Sequence, residues 1–173
     1  MGRRLIMSPE RVARVLVRLS YEIIERNRGA SNVELVGIRR RGGAVAAAIA
    51  AEMGTIEQRS FVVNELDVTP FRDDLDTGSP ASDESEIVHD IEDRDVVLVD
   101  DVLFTGRTAR AALDALVQYG RPRSIQLAVL VDRGHREYPI QPDYLGRFLQ
   151  TKHRERVVVD VDGEFEVYVV EED

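Results

Sequence analysis

The chain has 173 residues, a formal net charge of −9 at pH 7 and no cysteine, which excludes disulfides, thiolate zinc sites and cysteine nucleophiles. Its length suits one domain with a sizeable core, no apolar run approaches the length of a membrane span and the N-terminus lacks a signal-peptide core, so a cytoplasmic protein with no membrane span is expected. The acidity argues against indiscriminate nucleic-acid binding, yet residues 1–50 carry 10 arginines against 4 acids, and residues 51–100 carry 3 against 15, leaving room for a basic face.

In chain order, Ser8-Pro9-Glu10 reads as an N-cap followed by proline at the first helical position. Val12, Val15, Leu16, Leu19 and Ile23 then form one apolar stripe that ends near Asn27-Arg28-Gly29. Arg11, Arg14 and Arg18 lie on another face, either as a solvated surface or as part of an RNA-binding one. A strand at Glu34–Ile38, a loop Arg39-Arg40-Arg41-Gly42-Gly43 and an alanine-rich helix Ala44–Met53 follow. Arginines and glycines between a strand end and a helix start suit a pyrophosphate. A strand at 59–66 leads into Asp67–Leu75, and residues 76–86 have the composition of a mobile loop or of a disordered excursion.

The central stretch is Val96–Leu116. Val96–Val99 is a β-branched run suited to a strand buried on both faces. Asp100 and Asp101 form an acidic loop at its end, followed by Thr105-Gly106-Arg107-Thr108. Ala109, Ala112, Leu113 and Leu116 then mark one helix face, with Gly120 and Pro122 as stop signals. The start of a helix after a parallel strand attracts an anion, most readily a phosphate. Gly106 permits close approach, and Thr105 and Thr108 can donate hydroxyl bonds. Two carboxylates instead suit sugar hydroxyls or the water shell of a magnesium ion. The alternative is a solvated acidic turn.

Ser124–Val131 reads as another buried strand, leaving at Asp132-Arg133-Gly134-His135-Arg136-Glu137 on the sheet edge where Asp100 lies. His135 reads as a structural or surface histidine, and His89, His135 and His153 have no metal-site spacing. No serine stands in a nucleophile elbow. Pro139–Gly146 reads as a loop. Val157–Val161 and Glu166–Val170 read as a hairpin around Asp162-Gly163, before an acidic tail.

VLVDDVLFTGRTARAALDAL resembles the phosphoribosyl-pyrophosphate (PRPP) signature of type I phosphoribosyltransferases. With LAVLVDRGHRE it is similar to the PyrR family of pyrimidine-operon attenuators and uracil phosphoribosyltransferases. The resemblance covers nearly the whole chain. It implies a single α/β domain over 1–173, with a central, mostly parallel sheet flanked by helices, a small hood over about 133–157 that includes Pro139–Gly146, and a flexible acidic loop over about 73–87. It implies transfer of ribosyl 5-phosphate from PRPP to uracil, giving UMP and pyrophosphate, with Mg2+ accompanying PRPP.

The residues implied are Asp100, Asp101 and Arg41 for catalysis. Arg40 and Arg41 would serve the pyrophosphate, and Asp100 and Asp101 the ribose and, through water, the metal. Val102, Leu103 and Phe104 complete the approach to Thr105, Gly106, Arg107 and Thr108, which cradle the 5′-phosphate. Arg72 would reach the pyrophosphate, and Arg133 and Val157 would lie near the base. Arg18, Arg136 and Arg147 would form part of a surface for pyr leader mRNA, whose binding would tighten with UMP, and a homodimer or higher oligomer is implied. Arg40 replaces the threonine of the family's Gly-x-x-Thr-Arg-Gly loop, Pro70 is a departure in the hinge, and Tyr21 and Gln141 stand where many members have histidine and arginine. Two alternatives are an RNA-binding regulator with little activity and a transferase for another base, such as hypoxanthine or orotate.

Overall fold

The structure, a computed structural model, describes residues 2–73 and 82–172. Much of the expected flexible loop, from 74 to 81, therefore lies outside the described residues. The elements are β1 (Arg3–Met7), α1 (Pro9–Arg26), β2 (Val33–Ile38), α2 (Arg41–Glu57), β3 (Val63–Leu66), a 3-10 turn (Thr69–Phe71), β4 (Asp95–Leu103), α3 (Arg107–Leu116), β5 (Ser124–Asp132), β6 (Tyr144–Phe148), β7 (Glu155–Asp160) and β8 (Glu166–Glu171).

Five strands form a parallel sheet in the order β3-β2-β4-β5-β6. Alternate residues of its central strands feed two apolar layers, as a pleated strand requires. Val97, Val99, Ala128 and Leu130 join the layer under α1 and α2. Val96, Leu98, Leu127 and Val129 join the layer that holds Ala109, Ala112 and Leu116 of α3. This is why Val96–Val99 carries no polar alternation: both faces are covered. The remaining strands form a small antiparallel sheet, β1-β8-β7, whose Val157, Val159, Val167 and Val169 extend the α1–α2 layer.

Local signals set several boundaries. Ser8 caps α1 by accepting from the Arg11 N–H (3.4 Å), with Pro9 as the first helical residue. Val12, Leu16, Leu19 and Ile23 are buried as the stripe required, while Arg11, Arg14 and Arg18 stay exposed. The hairpin around Asp162-Gly163 joins β7 and β8 as expected.

Other boundaries differ from the sequence reading. β4 runs through Leu103, so Asp100 and Asp101 belong to the strand end rather than to a loop; Asp100 is still in register with Val129 of β5. α2 starts at Arg41, so Arg41-Gly42-Gly43 form its first turn. β3 is only Val63–Leu66, because Gln58 turns left-handed at the end of α2 and the Arg59 N–H folds back onto the Gly54 carbonyl. β6 replaces the end of the expected Pro139–Gly146 loop, and β1 was not anticipated.

From β2 the chain passes outward to β3, whereas from β4 it passes the other way to β5 and β6. The carboxyl ends of β2 and β4 therefore flank the switch point at which open α/β sheets bind ligands.

Candidate active site

A cleft opens at that switch point in two adjoining parts. One, of about 410 Å³, is lined by Arg39, Arg40 and Arg41 from the β2–α2 junction together with Asp100 and Asp101. The other, of about 390 Å³, follows the chain from Val102 to Thr108 and reaches Glu137. Arg72, Asp100, Val102 and Thr108 line both. The structure thus brings together three segments read separately in the sequence: the arginine run, the acidic pair and the threonine–glycine turn.

The acidic pair is tightly arranged, with the Asp101 N–H donating to Asp100 Oδ1 at 2.9 Å. Burial, reinforced by the neighbouring Asp101 carboxylate, pushes the Asp100 carboxyl well above the usual carboxylate range, and the positive charge of Arg72 acts in the opposite direction. Among the described residues no group of three or more acidic, histidine or cysteine side chains converges to hold a metal alone. Two adjacent carboxylates fit a magnesium ion that keeps its waters and takes its remaining ligands from substrate phosphates.

At the turn, Gly106 has φ +90°, and Arg107 begins α3, so the helix starts at the wall of the second cavity. A side chain at 106 would be strained by that φ. The Arg107 N–H donates to Thr105 Oγ1 (3.2 Å). The Arg107 guanidinium bonds to Glu137 (2.7 Å), Asp73 (3.1 Å) and the Tyr138 hydroxyl (3.1 Å). Its charge therefore ties the walls together, which leaves backbone amides and threonine hydroxyls as the turn's natural anion donors.

Arg40 and Arg41 are exposed at the cleft, and the peptide bond between Arg39 and Arg40 is cis. Arg39, which the sequence reading did not assign, donates to the Glu84 carbonyl and lies 3.7 Å from its carboxylate. Only its place in the arginine run pointed to it.

Arg133 is 6% exposed. It donates to Thr151 Oγ1 and to the carbonyls of Lys152 and His153, and its guanidinium lies 3.9 Å from the centre of the Phe104 ring. Burial draws its pKa down. Phe104, His135 and His153 form a cluster of edge and tilted ring contacts, and His135 Nε2 donates to the Thr151 carbonyl at 2.7 Å. His135 thus occupies the structural setting expected of it. Val157 sits in the core layer with α1 and α2.

The candidate RNA-facing arginines are separated. Arg18 donates to the Leu145 and Gly146 carbonyls, and Arg147 to the Ile6 carbonyl, both along β6. Arg136 instead braces the site from behind, bonded to the carbonyls of the cavity-lining Phe104 and of Ile140 and paired with buried Asp132 at 2.5 Å. Tyr21 and Gln141 are exposed.

Residues 7–161 match the phosphoribosyl transferase domain family, so the fold and cleft are those of a phosphoribosyltransferase. In solved structures, the hypoxanthine phosphoribosyltransferase of Trypanosoma cruzi shares the fold at TM-score 0.76 and 17% identity, over 96% of this chain and 94% of that one. The enzyme of the same name from Staphylococcus aureus does so at 0.70 and 16%, over 86% and 78%. Within this class the chain belongs to the PyrR family. It is 48% identical over 171 residues to Bifunctional protein PyrR of Pelotomaculum thermopropionicum, covering 96% of this chain and 94% of that protein. Identity to the Bacillus mycoides protein of that name is 50% over 160 residues, covering 90% and 89%. No helix among the described residues is long and apolar enough to cross a membrane.

Proposed function

We propose that the protein transfers ribosyl 5-phosphate from PRPP to N1 of uracil, and that UMP in the same cleft tunes its binding to pyr leader mRNA. The observation that carries this reading is the meeting of Asp100 and Asp101, the Thr105–Thr108 turn and Arg39–Arg41 in one cleft. In that reading Thr105, Gly106, Arg107 and Thr108 hold the 5′-phosphate, and Arg40 and Arg41 meet the pyrophosphate. Asp100 and Asp101 hold the ribose hydroxyls. They would also hold, through water, a Mg2+ ion that offsets charge on the leaving pyrophosphate.

The bond from the anomeric carbon to pyrophosphate breaks as the bond to N1 forms, and the N1 proton passes to solvent water. The ribose passes through an oxocarbenium-like state, as in glycoside hydrolysis. The chain's part is orientation and charge: carboxylates beside a developing cation, and guanidiniums beside a departing anion. Val102, Leu103 and Phe104 lead from the acidic pair to the phosphate turn. Arg133 acts on the base side by fixing Phe104 and the 151–153 turn.

A panel of bases with PRPP, scored by pyrophosphate release, tests this: uracil is the preferred acceptor, and preference for a purine overturns the assignment. The relatives' name, bifunctional, supports a second activity. A salt-dependent gel shift with pyr leader RNA, with and without UMP, tests it, and no binding at low salt leaves the transferase alone. Arg18 and Arg147 are the surface candidates for that contact. We also propose a homodimer or higher oligomer in the cytoplasm, checked by analytical ultracentrifugation and cell fractionation.

A further inference from the structure

Arg72 lines both parts of the cleft, yet it lies on a short segment outside the sheet. What fixes that segment is therefore a functional question. At its start the Thr69 N–H donates to Asp67 Oδ1 (3.0 Å), and a 3-10 turn with Pro70 stiffens Thr69–Phe71. Within it the Phe71 N–H bonds to the Val68 carbonyl and the Arg72 N–H to that of Thr69. At its far end Asp73 accepts from Arg107 Nη1 (3.1 Å) and from the Tyr138 hydroxyl (3.3 Å), with Arg110 Nη1 at 4.0 Å.

We propose that Asp73 is a positioning residue. By gripping Arg107 and Tyr138 at the start of α3, it holds the Thr69–Asp73 segment across the cleft and keeps Arg72 between the acidic pair and the phosphate turn. Arg107 keeps Glu137 and the Tyr138 hydroxyl when Asp73 is gone, so the turn itself survives and the loss falls on Arg72. Asp73 and Arg107 are partly exposed (49% and 31% of their side chains), so their pairing adds little to global stability. Its consequence is local order. The inference rests on the phosphoribosyltransferase reading of the cleft.

The test compares the full chain with Asp73→Ala, Asp73→Glu, Arg72→Ala and the Arg72→Ala/Asp73→Ala pair. In the ligand-free protein, hydrogen–deuterium exchange at the Phe71 and Arg72 amides rises in Asp73→Ala and returns toward wild type in Asp73→Glu, with little change in Tm. PRPP affinity, measured calorimetrically with Mg2+, falls about tenfold in Asp73→Ala, the size of one charge-assisted contact. It falls no further in the double variant than in Arg72→Ala alone. Unchanged exchange in Asp73→Ala overturns the tether, and additive losses in the double variant overturn the positioning of Arg72. A wild-type protein that binds no PRPP would sink the functional reading and with it the role in binding. The exchange result would still decide the tether.

Discussion

Gly42, in the first turn of α2, lies directly against the backbone of Val99: a Cβ built on it would stand 2.5 Å from the Val99 carbonyl oxygen and 3.2 Å from Asp100 Cα. This contact seats the start of α2 on the end of β4 and places Arg41 and Asp100 on one cavity wall. Gly42→Ala forces α2 away from the sheet. The expected cost is about 1–3 kcal/mol of stability, with a raised KM for PRPP, read by urea denaturation and initial-rate kinetics.

Asp101 shares the cleft with the arginine run and donates its N–H to Asp100. Asp101→Asn keeps the shape and removes the charge. Turnover should fall by about a hundredfold, the scale of one lost electrostatic stabiliser, while Tm moves by less than about 4 °C. Unchanged turnover in a well-folded variant removes Asp101 from the mechanism.

Asp95 anchors the opposite end of β4, the central strand. Hydrogen bonds from Arg123, Ser124 and Asn32 hold its carboxyl down, from 3.8 to about 2. A carboxyl with a lowered folded-state pKa contributes stability that is full above its unfolded value and is lost as pH falls through the folded one. Asp95→Asn should therefore cost about 1–2 kcal/mol at pH 7, discounted because the Arg123 side chain is 63% exposed. The difference from wild type should shrink between about pH 4 and pH 2, measured by denaturant melts across pH.

Arg136 pairs with buried Asp132 and braces the carbonyls of Phe104, in the site wall, and of Ile140. Arg136→Ala strands the Asp132 carboxylate and should cost about 3–5 kcal/mol, seen as a large drop in the denaturation midpoint. Loss of RNA binding in that variant would report the wall's collapse. Arg18→Ala, on the exposed face of α1, is the cleaner probe of an RNA surface.

What the sequence made legible follows from how local each signal is. The β4–α3 unit was plain because its burial on both faces, its turn and its helix face are written in adjacent residues. Ser8 and Pro9 announced α1 for the same reason. β6 was hidden: Tyr144-Leu145-Gly146-Arg147-Phe148 has no β-branched residue, follows two prolines, and becomes a strand through its pairing with β5. The contacts of Arg39 and Asp73 likewise depend on partners from remote segments. The chain position of Arg133 suggests the base side of the site, and its packing against Phe104 becomes visible only in three dimensions.

The cleft draws its walls from residues 39–41, 72, 100–108 and 137, which meet only when β2, β4 and the segment after β5 are all in place. No single contiguous segment supplies all of its walls. Occupancy is therefore linked to cooperative unfolding of the whole sheet: a ligand at about a hundred times its dissociation constant adds about 2.7 kcal/mol to the native state. The cell's supply of substrate and nucleotide would then set how long each molecule escapes proteolysis as well as how fast it works.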